Sequence, residues 1–283
     1  MTNGPFGRSS NTSRSGHRAG DGWKPWNWML FPFSSVKADT ESVYAASVGY
    51  GVYEIDASGT WNKMDKGLAD QTSVNHLQLS NGILSACTSE GLYQYAEDKW
   101  VHEGLSIPCY QYRVLGKAEY AATEYGLWCR IGRKWEQMAL PDKRVFDFMN
   151  LPQFIVAGHS DGLSLYDRYM DDWADYELGR AVTSLAVFRG RVVGTTDKGE
   201  LLLGDTRGRF DQVRFGKTFI FSVASFGRNV FACTDKGLFR LANLRNQTTL
   251  LPVKLGIPVT EVDFLNGNLY MATLFQGIHA MEW

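Results

Sequence analysis

The chain has 283 residues, a formal net charge of −1 and 44% apolar residues, enough to build a core inside one large domain. A charge so near zero gives no long-range pull toward nucleic acid or an acidic membrane, so neither is the expected partner. The cysteines Cys87, Cys109, Cys129 and Cys233 show no CxxC pair and no zinc-like spacing, which implies reduced thiols. With no secretory-type apolar segment at the start and no apolar run of bilayer length, the expected setting is cytoplasmic and no transmembrane segment is expected.

Residues 1–22 are rich in Gly, Ser and Asn and carry Arg8, Arg14, His17 and Arg18 against a single acid, Asp21. Such a stretch cannot bury a core, and it reads as a disordered polar, basic tail. Residues 23–283 read as one domain. That domain begins on an aromatic cluster, Trp23-Lys24-Pro25-Trp26-Asn27-Trp28.

From Val43 onward one motif recurs seven times: two apolar residues, two small ones, a Thr or Ser, then a polar turn ending in Gly. The copies run Val43 to Gly51, Leu84 to Gly91, Glu119 to Gly126, Ile155 to Gly162, Val192 to Gly199, Val230 to Gly237 and Leu269 to Gly277. Successive turn glycines are 40, 35, 36, 37, 38 and 40 residues apart, close to the period of a four-stranded propeller blade. The runs are short, β-branched and aromatic, with no 3.6-residue amphipathic segment, which excludes a helical solenoid.

Each copy resolves into four strands, a to d. Strand a is an apolar run such as Val182 to Phe188. A tight turn such as Asn81-Gly82 or Asn266-Gly267 leads into strand b, which carries the small pair. Small side chains there let neighbouring sheets approach near the axis. The turn glycine opens strand c, and strand d starts on an aromatic residue: Trp61, Trp100, Trp135, Trp173 or Phe210. The sixth copy lacks that aromatic and reads Asn246 to Leu251.

The seventh copy reaches Trp283 with strands a, b and c only. Trp26-Asn27-Trp28-Met29-Leu30 matches Trp61-Asn62-Lys63-Met64 and Trp135-Glu136-Gln137-Met138. The sequence therefore predicts an all-β, seven-bladed propeller with four-stranded blades, closed by an N-terminal strand that completes the last blade and removes its open edge. Trp26 is then a repeat residue, and Trp23 and Trp28 are left over as candidate partner contacts.

The pattern of a small pair, Thr, then Gly-Leu-Tyr, with linkers such as Gly104-Leu105-Ser106-Ile107-Pro108, resembles the sialidase-like Asp-box propellers and the two-component-regulator propeller repeats. The best Asp-box match is Glu54 to Trp61, with Asp56 and Trp61 correctly spaced, Ser replaced by Glu54 and the glycine displaced to Gly59. The resemblance spans nearly the whole chain from Trp23. It implies an architecture; Asp boxes lie away from the sialidase active site, so it implies no activity.

In a propeller the b–c turns and d–a linkers share one face around the axial channel. The candidate binding residues on that face are Tyr50, Glu90, Glu124, Tyr125, His159, Asp161, Asp197, Lys198, Asp235, Lys236 and Phe275. Asp, Ser and Lys also serve as plain turn residues, whereas Tyr50, Tyr125 and Phe275 are aromatics where polar residues would suffice. His159 replaces the Thr of its column, either as a hydrogen-bonded substitute or as a base or metal ligand. No HxH, HExxH or paired-carboxylate motif occurs, so no catalytic residue, metal or cofactor is assigned.

The expected function is a non-enzymatic binding or scaffold propeller, a subunit or accessory factor with a protein partner. The alternatives are a metal-assisted lyase or hydrolase using His159 with Glu124, Asp161 and Asp197, and a propeller that binds a glycan or other small molecule through its exposed tyrosines.

Overall fold

The computed structural model describes residues 31–205, 208–245 and 247–283. They form a seven-bladed β-propeller: six four-stranded antiparallel sheets and one three-stranded sheet, each built from strands consecutive in sequence. The innermost strands a are Phe33–Ala38, Val74–Ser80, Cys109–Leu115, Val145–Asn150, Val182–Phe188, Ile220–Phe226 and Val259–Leu265. In blades 2, 5 and 7 strand b follows through a hairpin whose two central residues both have positive φ, as at Asn81 (52°) and Gly82 (75°). That is the turn whose twist matches a right-twisted ribbon.

The core consists of seven apolar layers, one between each pair of neighbouring blades. Leu77, Leu84 and Trp100 of blade 2, for instance, pack on Ala46, Val52 and Met64 of blade 1. The small pair on strand b faces these seams. A Cβ on Gly158 would stand 2.7 Å from the Val182 carbonyl of the next blade, a contact only a missing side chain permits.

The c–d turn of blade 1 behaves as its Asp-box-like sequence suggests. Asp56 Oδ1 accepts from Ser58 N–H at 2.8 Å and Thr60 N–H at 2.9 Å. This caps the hairpin from inside.

The ring closes between blades 7 and 1 with the same kind of layer as elsewhere: Phe33, Val36, Tyr53 and Ile55 pack on Ala272 and Ile278. Phe275 N–H donates to Phe31 O (3.2 Å), just as Gly126 N–H donates to Lys143 O (2.9 Å) where a d–a linker passes from blade 3 to blade 4. The chain thus enters blade 1 along the route that every other blade-to-blade linker takes. Among the described residues blade 7 has three strands, with Ile278–Glu282 outermost. The strand expected to cover that edge, Trp26–Leu30, lies outside the described residues, as do Trp23, Trp28 and the tail 1–22.

Deleting residues 1–22 is expected to leave Tm unchanged within about 2 °C, whereas deleting 1–30 lowers it by roughly 10 °C, several kcal/mol for a domain of this size. Scanning calorimetry of the two truncations checks this, and equal Tm values would refute closure by residues 23–30.

Candidate functional site

Every strand a carries a β-bulge at its second residue. The ladder with strand b skips Ser34, Asn75, Tyr110, Phe146, Thr183, Phe221 and Thr260 in turn. A bulge breaks strict alternation and re-aims side chains, and here it turns the second and third residues of each strand toward the propeller axis. The third residues are Ser35, His76, Gln111, Asp147, Ser184, Ser222 and Glu261, polar in every blade.

These polar side chains staple the blades together. Backbone N–H groups next to the bulge donate to them across the seams: Leu77 to Ser35 Oγ (3.0 Å), Leu185 to Asp147 Oδ2 (2.7 Å), Val223 to Ser184 Oγ (3.1 Å) and Val36 to Glu261 Oε2 (3.0 Å). Second-residue side chains donate back to the next blade, as Ser34 does to Val74 O (2.6 Å) and Thr260 to Phe33 O (2.7 Å). A hydrogen bond to a charged acceptor contributes about 1.5–3 kcal/mol, so the Glu261 and Asp147 staples are the strong ones.

Glu261 also takes Lys37 Nζ (2.5 Å) and His76 Nε2 (3.0 Å) on Oε1, linking blades 7, 1 and 2. Burial opposes its charge, but the charges of Lys37 and His76 hold its carboxyl well below the usual carboxylate range. The axial cavity these residues enclose measures about 420 Å³ and is lined by strand a of all seven blades. Within it the Nδ1 of His76 and the Nε of Arg113 are buried and make no hydrogen bond.

The b–c turns form a ring on the face where strands a begin, and their polar groups are largely occupied. Glu124 accepts from Arg144 Nη2 and from Tyr110 OH, each at 2.6 Å. The Arg144 bond, with Tyr110 adding to it, lowers its carboxyl pKa against the effect of burial. Glu90 accepts from Thr72 Oγ1 (3.3 Å), and Asp161 from Ser160 Oγ (3.1 Å). Asp235 accepts from Phe219 N–H (2.9 Å) and pairs with Lys236 (3.0 Å), and Asp197 pairs with Lys198 (3.8 Å). Glu124, Asp161 and Asp197 sit on blades 3, 4 and 5, and among the described residues no three His, Cys, Asp or Glu side chains are grouped to hold a metal.

The aromatic turn residues are the ones left open. Tyr50, Tyr125 and Phe275 are 47%, 55% and 53% exposed. Phe31 brings two of them together: its ring stacks on Tyr50 (centroids 4.1 Å apart, planes 14°), and its carbonyl takes the Phe275 N–H. Tyr125 stands apart on blade 3.

His159 is fully buried. Its Nδ1 accepts from Asp161 N–H (3.2 Å), as Thr88 and Thr123 Oγ1 accept from Glu90 and Tyr125 N–H in their own blades (3.1 Å each). Its Nε2 therefore carries the proton and donates to Ser164 Oγ (3.0 Å), and Ser164 donates in turn to Asp175. The imidazole fills the threonine slot and offers neither nitrogen to a ligand. Burial, reinforced by the charge of Lys143, holds its pKa down at about 4.

The axial belt is what the sequence reading missed. Its signal was a polar third residue in each strand a, legible once the seven copies are aligned on the first residue of that strand and hidden when strand a is taken simply as an apolar run.

No protein-family model matches the sequence, and no curated protein matches it. Solved structures do. The extracellular domain of a B. thetaiotaomicron protein assigned to the one-component systems superposes with a TM-score of 0.72 at 17% identity, over 90% of this chain and 39% of that one. A hybrid two-component system from the same organism gives 0.71 at 15% identity, over 88% and 39%. Virginiamycin B lyase from Staphylococcus aureus, in a catalytically inactive form with quinupristin, gives 0.71 at 9% identity over 90% and 96%. The chain spans about two fifths of the length of these two B. thetaiotaomicron chains. At these identities the likeness is one of fold, and it agrees with the architecture that the repeat predicts.

Because His159 is held neutral, its effect on stability has a definite sign. Its folded pKa of about 4 lies below the ordinary 6.5, so the unfolded chain binds the proton first as pH falls. The stability is complete above pH 6.5 and drains away toward pH 4, on the order of 2 kcal/mol by pH 4.5. His159→Thr should flatten that part of the stability–pH curve in urea titrations. A variant curve parallel to the wild type would contradict the assignment.

Proposed function

We propose that this propeller is a non-enzymatic binding module that docks a protein partner on the face of the b–c turns, as a subunit or accessory factor of a larger assembly. The observation that carries the reading lies on that face: its carboxylates accept from Arg144, from neighbouring lysines, from hydroxyls and from a backbone amide, while the aromatics Tyr50, Tyr125 and Phe275 leave about half their surface open. Exposed aromatics ringed by polar groups are what a partner buries at an energetic centre. Four cysteines without disulfide partners support a cytoplasmic setting.

The fold is shared with extracellular domains of one- and two-component systems and with a lyase, so architecture alone favours neither binding nor catalysis. The local chemistry favours binding, since His159, the histidine in the threonine column, is closed off by Asp161 and Ser164.

The test compares the chain purified from its source with the variant Tyr50→Ser/Tyr125→Ser/Phe275→Ser by size exclusion with light scattering. The wild type is expected to retain a stoichiometric partner, and the variant to lose it, at least about 100-fold weaker for three lost anchors, with Tm held within about 3 °C. Retention by both, or a partner-free wild type, would overturn the proposal.

A further inference from the structure

The axial channel lies apart from the turn aromatics, and its hydrogen-bonding capacity is unevenly used. The Asp147 carboxylate is filled: Oδ1 takes Phe148 N–H (2.8 Å), Arg113 Nη2 (3.2 Å) and Gln111 Nε2 (3.4 Å), and Oδ2 takes Leu185 N–H. Glu261 is likewise filled by Lys37, His76 and Val36 N–H. The third channel acid, Asp263, accepts Ala38 N–H (2.9 Å), and burial raises its pKa against the pull of Lys37.

The cations are not filled. Arg113 lies over the Phe148 ring (5.7 Å) and commits only Nη2 to a hydrogen bond, with Asp147, and its side chain remains 36% exposed. Lys37 uses one of its three N–H groups on Glu261. The capacity left over in the channel is therefore mainly of the donor kind, and the planar guanidinium fork is matched to a carboxylate.

The walls of the channel differ. Blades 7, 1 and 2 present Thr260, Ser34, Asn75, Lys37 and Gln78, whereas blades 4 and 6 present Phe146, Met149, Phe221 and Ala224. Tyr110 and Phe146 are in ring contact on the second side (5.2 Å). A cavity of about 420 Å³ with one polar and one aromatic wall has the size and make-up of a small-molecule site.

We propose that the axial channel binds a small organic carboxylate with an aromatic body. Arg113 receives the carboxylate, Lys37 adds its charge from the same level of the wall, and the body lies on Phe146 and Phe221. The site is independent of the protein-docking face, so either reading stands if the other fails.

The test is isothermal titration of the full chain with phenylacetate, with phenylacetamide as its uncharged counterpart and acetate and inorganic phosphate as anions without the body. Phenylacetate is expected to saturate below about 10 mM and to bind at least roughly tenfold more tightly than the other three, the smallest difference a charged bidentate contact should give. Arg113→Gln should abolish that margin. Should that variant misfold, Ala224→Trp, which fills the channel from the wall without touching an ion pair, must also lose phenylacetate. No saturation by phenylacetate, equal binding of phenylacetamide, equal binding of acetate or phosphate, or undiminished binding in a folded variant would each overturn the proposal.

Discussion

The bulge in each innermost strand leaves a backbone N–H beside it that a side chain must receive, and a buried donor left without an acceptor costs about 1–3 kcal/mol. In six of the seven blades that amide has a side-chain acceptor. For Val36, Leu77, Leu185 and Val223 it comes from the preceding blade, and for Tyr112 and Phe148 from the same one. This requirement fixes a polar residue at the third position of strand a. It also couples neighbouring sheets at the axis.

The belt also shapes function. A propeller axis held together by charged acceptors has its carboxylates committed to structure, while the cations that balance them keep donors to spare. Lys37 and Arg113 are ion-pair partners first, and any ligand chemistry of the channel follows from that imbalance. On the turn face the logic is similar: local pairs consume the polar groups, and the aromatics are what remains for a partner.

Much of this was legible in the sequence because each blade repeats one solution. The small pair on strand b, the threonine bonding back to its turn, and the positive-φ hairpins each recur often enough to fix blade number and strand order. His159 was legible as an anomaly in the threonine column, and the geometry shows it doing what a threonine does, accepting the turn amide while donating elsewhere. The axial belt was harder to read. A bulge shifts the inward-facing parity by one residue, so Ser35, His76 and Glu261 look like outward positions to a strict two-residue alternation. Phe31, which joins the turns of blades 7 and 1, carried no repeat signal because it sits in a linker column whose other members are Thr72, Ile107, Lys143, Arg180, Thr218 and Ile257.

Side chains at the axis, reaching from one blade to the next, hold the ring together. Amide hydrogen exchange resolved at Val36, Leu77, Leu185 and Val223 tests this most directly, since each of these donors is received by a side chain of the preceding blade. They are expected to exchange as slowly as amides of the apolar layers, through opening of the whole ring. Exchange as fast as that of the exposed b–c turn amides would show that the belt does not hold the blades together.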